Sequence, residues 1–189
     1  MQKQTDGKIL TTRNLAYCAL LAALSVVLAR LIIPMPNVTT RFSIEAVPIF
    51  LAGMLFGPMA GGLVGFSADL VGCLFSGFGY NPLFCLPPIL YGVFGGVFRR
   101  YLAANPTLPR LGLSFLPPVV IGSILWQSAA LSFVYNSKGS FTASLIYFLS
   151  TRSVQFAVTL VLDVLIIYLL LRTRVFERMG IWPPVAKEK

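Results

Sequence analysis

The chain has 189 residues, of which 57% are hydrophobic and 11% charged, and its mean hydropathy is +0.82; that leaves too little polar surface to coat a soluble globule of this size. It reads as an integral membrane protein, and with no soluble basic surface to carry it, the net charge of +9 does not indicate a nucleic-acid binder. Histidine is absent, and the three cysteines, Cys18, Cys73 and Cys85, lack the paired spacing of a zinc site or a disulfide framework, so no metal and no cofactor is expected.

Apolar runs set against breakers predict six spans in one domain over residues 1–189, an all-α membrane fold. The first covers about 14–33. Lys3, Lys8 and Arg13 precede it as in a secretory signal, but its apolar run is about 19 residues long and lacks a small-x-small cleavage site, so it is expected to be a retained helix. The second, at about 44–56, is too short to cross at right angles and must be oblique, irregular or embedded. Gly53, Gly57 and Pro58 mark a bend into the third, at about 58–75, where Gly61, Gly62 and Gly65 permit close packing on a neighbour. The fourth, fifth and sixth are predicted at about 86–103, 112–134 and 142–171.

Orientation follows from the basic residues. Eleven (Lys3, Lys8, Arg13, Arg99, Arg100, Arg110, Arg172, Arg174, Arg178, Lys187 and Lys189) fall on the side of the two termini, and four (Arg30, Arg41, Lys138 and Arg152) toward the other. Both termini are therefore expected in the cytoplasm. Three loops then face outside and can form a lid, with Asn37, Thr39, Thr40 and Arg41 in the first, Tyr80 and Asn81 in the second, and Tyr135, Asn136, Ser137 and Lys138 in the third.

Arg30, Asp69, Gln127 and Arg152 come from four spans and fall at one expected depth, with Trp126 adding a flat aromatic face. Counting Arg41, Glu45 and Lys138, the outer side carries four cations against two carboxylates, which suits a planar polar ligand with about two negative charges. Each residue also has a structural reading. Arg30 can snorkel to headgroups, Asp69 and Arg152 can pair with each other, Trp126 can belong to an interfacial belt, and Lys138 can be a solvated loop charge. Asp163, deeper in the sixth span, reads as a packing hydrogen bond. Ala16, Ala19, Ala22 and Ala23 form a small-residue stripe that admits another helix, from this chain or a partner.

The runs Arg41-Phe42-Ser43-Ile44-Glu45-Ala46-Val47-Pro48, Leu51-Ala52-Gly53-Met54-Leu55-Phe56-Gly57-Pro58 and Gly65-Phe66-Ser67-Ala68-Asp69-Leu70 resemble the substrate-binding S components of energy-coupling-factor (ECF) vitamin importers, and within them the folate-specific branch. The resemblance implies a six-helix subunit of a bacterial cell membrane that captures a vitamin outside and delivers it by joining one transmembrane coupling protein and two ATPases. It implies that Ala19 and Ala23 meet the coupling protein, and that Arg30, Arg41, Asp69, Tyr80, Trp126, Gln127, Asn136, Lys138 and Arg152 line the vitamin site. Asp69 is expected to accept from the amino and N–H edge of a pterin, Trp126 to stack on the ring, and Arg30, Arg41 or Lys138 to meet the glutamate carboxylates.

The charge balance leans away from cationic thiamin and neutral riboflavin. No phosphate-cradling Gly-rich loop with lysine is present, so ATP hydrolysis falls to partners. The remaining alternatives are an S component for another anionic or heterocyclic vitamin, a purely structural subunit, and a small intramembrane enzyme using Asp69 and Asp163. No nucleophile or acidic motif surrounds those two residues, and no catalytic residue is expected.

Overall fold

The computed structural model describes residues 11–30, 33–34, 41–42, 44–76, 80–135 and 141–182. Helix α1 (Thr12–Leu28) ends earlier than expected. Two-residue strands β1 (Ile33–Pro34) and β2 (Arg41–Phe42) follow, paired antiparallel with Ile33 opposite Phe42 and Pro34 opposite Arg41. Proline holds the residue before it out of the α region, which suits Ile33 to an extended conformation. This ladder is the one departure of the described residues from an all-helical fold.

Helix α2 (Ala46–Phe56) is the centre of the bundle, with Ala46 through Leu55 all buried. It has no lipid-facing stripe, which matches the embedded option for so short a segment. Phe50 packs on Phe115 with ring centroids 4.5 Å apart. The chain leaves α2 through Gly57 at φ 105°, a conformation that favours glycine, and Pro58 opens α3 (Pro58–Ser76).

A 3-10 turn (Pro82–Phe84), capped by Asn81 Oδ1 accepting from the Leu83 N–H at 3.1 Å, leads into α4 (Leu86–Val97). Helices α3 and α4 touch backbone to backbone. A Cβ on Gly92 would strike the Gly61 carbonyl, and one on Gly61 would strike the Gly92 carbonyl. The glycines of the third span thus serve close packing, with α4 as the neighbour.

The expected fourth span breaks at Phe98 (φ −81°, ψ 2°) before α5 (Arg99–Ala104). The fifth begins earlier than predicted, as α6 (Leu108–Pro118), widens into a π-helix (Val119–Trp126) and closes as α7 (Gln127–Tyr135). Pro117 and Pro118 donate no backbone hydrogen bond, which interrupts the regular ladder just where the wider turns begin. Helix α8 (Phe141–Arg172) covers the sixth predicted span, and α9 (Val175–Arg178) follows it.

By length and composition, three segments suffice to cross a membrane: Pro58–Phe75 with 18 residues, Leu108–Val134 with 27 and Phe141–Arg172 with 32. The other three predicted spans, Thr12–Leu28, Ala46–Phe56 and Pro82–Val97, are apolar but shorter.

Candidate ligand-binding site

Several of the singled-out residues converge where α3 ends and α4 begins. Arg30, just past α1 and exposed, donates from Nη2 to the Gly72 carbonyl on α3 at 2.7 Å. Asp69, one turn earlier on α3, is half-buried and accepts from the Cys85 thiol, and its Oδ2 is buried without a hydrogen-bond partner. Tyr80 donates its hydroxyl to Cys85 in turn, a contact that raises the Tyr80 phenol above its ordinary pKa. Trp126 donates its indole N–H to the Leu83 carbonyl at 2.7 Å, tying the end of the π-helix to the same connection.

Arg152 sits apart from these on α8. It is buried and directs Nη1 to the Ser123 carbonyl at 3.4 Å, one turn along the π-helix from Trp126. The Asp69–Arg152 pairing considered above is not made: no ion pair joins the two, and the salt bridge among the described residues is the exposed Arg174–Glu177 contact at 3.9 Å. Gln127 is half-buried at the first position of α7. Arg41 lies in β2 with its side chain outside the described residues, and Asn136 and Lys138 also lie outside them.

Residue-by-residue reading missed Tyr91, Ser123 and Cys85. Tyr91 is buried on α4, its hydroxyl 2.9 Å from Ser123 Oγ, and it lies within electrostatic reach of Arg152, Glu45 and Asp163. Arg152 and Asp163 both lie on α8 and Glu45 immediately precedes α2, so Asp163 is less remote from Arg152's surroundings than its depth along the sixth predicted span implied. One signal was available: Arg152, Gln155, Thr159 and Asp163, all buried, recur at intervals of three and four and share a helix face. Tyr91 and Ser123 carry no such signal, because both lie within apolar runs.

A groove of about 480 Å³ runs between α1 and α3, lined on one side by Cys18, Ala19, Ala22 and Ala23 and on the other by Met59, Leu63 and Ser67. Ala19 and Ala23 are exposed in it. Ser67 turns its hydroxyl back to the Leu63 carbonyl at 2.7 Å, which leaves the walls largely apolar, with Asn14 the other polar lining residue. The alanine stripe thus opens outward rather than being used up inside the bundle.

Comparison with known proteins follows this architecture. A family model described as ECF-type riboflavin transporter, S component, matches residues 9–172. A crystal structure of FolT bound with folic acid is 28% identical, with a TM-score of 0.70 over 84% of this chain and 93% of that one. The S component for biotin from an ECF-type ABC transporter, 20% identical with a TM-score of 0.60, covers 85% of this chain and 92% of its own and shares the fold. A search of curated proteins found no match. The family match extends from before α1 to the end of α8, and this chain belongs to the family of ECF-type transporter S components, the membrane-integral subunits that bind the vitamin.

Proposed function

We propose that this S component captures folate or a closely related pterin from outside a bacterial cell and hands it inward. The carrying observation is the convergence of Asp69, Tyr80, Trp126 and Arg30 on the α3–α4 connection. It joins a carboxylate with an unused buried oxygen, an aromatic plane and a cation, which are the groups a flat donor-edged ring with an acidic tail requires. The likeness to the folate-bound FolT structure, at 28% identity over most of both chains, supports the same ligand.

In this reading six helices cross the membrane with both termini cytoplasmic; the three loops expected to form a lid lie partly outside the described residues. The chain performs no chemistry. A transmembrane coupling protein docks in the α1–α3 groove against Ala19 and Ala23, and two ATPases drive reorientation of the bundle. Docking must then favour the inward-facing orientation by a few kcal/mol.

The description of the matching family favours a second ligand, riboflavin. Riboflavin is neutral and leaves Arg30 without an anionic partner, although its ring carbonyl and neighbouring ring nitrogen offer Arg152 the same kind of acceptors as a pterin. Purified protein titrated with both vitamins, with intrinsic tryptophan fluorescence as the readout, separates the two. Saturable quenching by folate and none by riboflavin is expected, and the converse pattern overturns the folate assignment.

A further inference from the structure

Arg152 is the one buried arginine among the described residues, 8% exposed on α8. Its Nε–H has no acceptor. Its Nη1 contact to the Ser123 carbonyl, at 3.4 Å, is long for a charge-assisted hydrogen bond. No described carboxylate lies within ion-pair distance. A guanidinium removed from water with donors unmet costs several kcal/mol, so the residue holds donor capacity that the protein itself does not use.

The surroundings restrict what uses it. The Arg152 Cζ stands 5.5 Å from the centroid of Phe156, and Tyr91 packs 5.3 Å from Phe115 while meeting Ser123 through its hydroxyl. A flat ring that reached Arg152 would meet aromatic neighbours. Bringing a glutamate dianion here would strip water from two charges against one cation, whereas Arg30 is exposed and already able to meet a hydrated carboxylate.

Resting on the folate reading, we propose that Arg152 is the inner recognition residue of the site. Its Nε–H and the terminal N–H beside it donate in parallel to the pterin ring carbonyl and the neighbouring ring nitrogen. This is the geometry by which arginine reads the adjacent oxygen and nitrogen acceptors of guanine. Tyr91 and Ser123 are positioning residues: the Ser123 carbonyl holds one arm of the fork, and the Tyr91 hydroxyl fixes the Ser123 side chain. The ring lies inward and the glutamate toward Arg30.

The test compares folate with pteroate, which keeps the ring and lacks the glutamate, on purified wild type, Arg152→Gln, Arg152→Lys and Arg30→Gln. Arg152→Gln is expected to weaken both ligands by the same factor, roughly 10- to 100-fold. Arg152→Lys should recover little, because a point charge lacks the fork. Arg30→Gln should weaken folate more than pteroate. If Arg152→Gln does not purify as a monodisperse protein, Tyr91→Phe, which removes one hydroxyl, should show the same equal loss on a smaller scale. A loss confined to folate, full recovery with lysine, or unchanged affinity overturns the inference while folate binding stands. Wild-type protein that binds neither ligand overturns the folate reading itself.

Discussion

The groove between α1 and α3 offers the sharpest separation of binding from transport. Ala19 and Ala23 are exposed in it, and a substitution on an exposed helix face changes stability by only about 0.5 kcal/mol. Ala23→Leu should therefore fold and bind its vitamin with essentially wild-type affinity. A partner helix that approaches close enough to use alanine as a contact meets the added methylenes directly, at a cost of about 1–3 kcal/mol. That corresponds to docking weakened by roughly 5- to 150-fold. The assay has three arms: vitamin affinity of the isolated subunit, co-purification with the coupling module, and uptake in cells or proteoliposomes containing both. Loss of the last two with the first preserved is expected for Ala23→Leu and for Ala19→Leu. Normal uptake by both variants would refute docking in this groove, and a collapse of affinity would place the alanines in the packing that shapes the vitamin site.

Gly92→Ala should destabilise the bundle by at least the upper end of about 1–3 kcal/mol, because the new Cβ meets the Gly61 backbone with no flexible side chain to move aside; thermal unfolding in detergent reads this out, and an unchanged midpoint would contradict the contact. Asp69→Asn replaces a two-oxygen acceptor by a group with one acceptor and one donor, and should weaken folate by roughly 10- to 100-fold in titration. Equal affinity would remove Asp69 from the ligand. Trp126→Phe keeps an aromatic plane but drops the bond to the Leu83 carbonyl, and should weaken binding by roughly 2- to 10-fold; a variant indistinguishable from wild type would show that the tie does not shape the site.

The helices of the second, third and sixth predicted spans were legible nearly to the residue. Gly57 and Pro58 punctuate one boundary, and the ends of largely apolar runs define the others. The first was drawn on to residue 33 although Pro34 bars its predecessor from the helix, a restriction that hydropathy does not register; α1 ends earlier still, at Leu28. The fifth was foreseen as a regular helix, although Pro117 and Pro118 already signalled trouble; a π-helix depends on which backbone donors find acceptors, and composition does not report that.

The candidate site divides along the same line. Arg30, Asp69, Trp126 and Arg152 stand out in the sequence because a polar or charged residue inside an apolar run is expensive and therefore conspicuous. Tyr91, Ser123 and Cys85 do not, since each is an ordinary residue of a buried helix until its neighbours are known. The sequence by itself determined that the chain is a membrane bundle, which residues break its apolar runs, and where a small-residue stripe can admit another helix, because transfer from water into hydrocarbon acts on each residue separately. Only the tertiary structure decided that Asp69 meets Cys85 rather than Arg152, that Trp126 fastens the α3–α4 connection, and that Arg152 lies against Ser123 with its Nε–H unused. Hydrogen bonds are short and directional, and which groups come within reach is settled by helix packing across segments far apart in the chain.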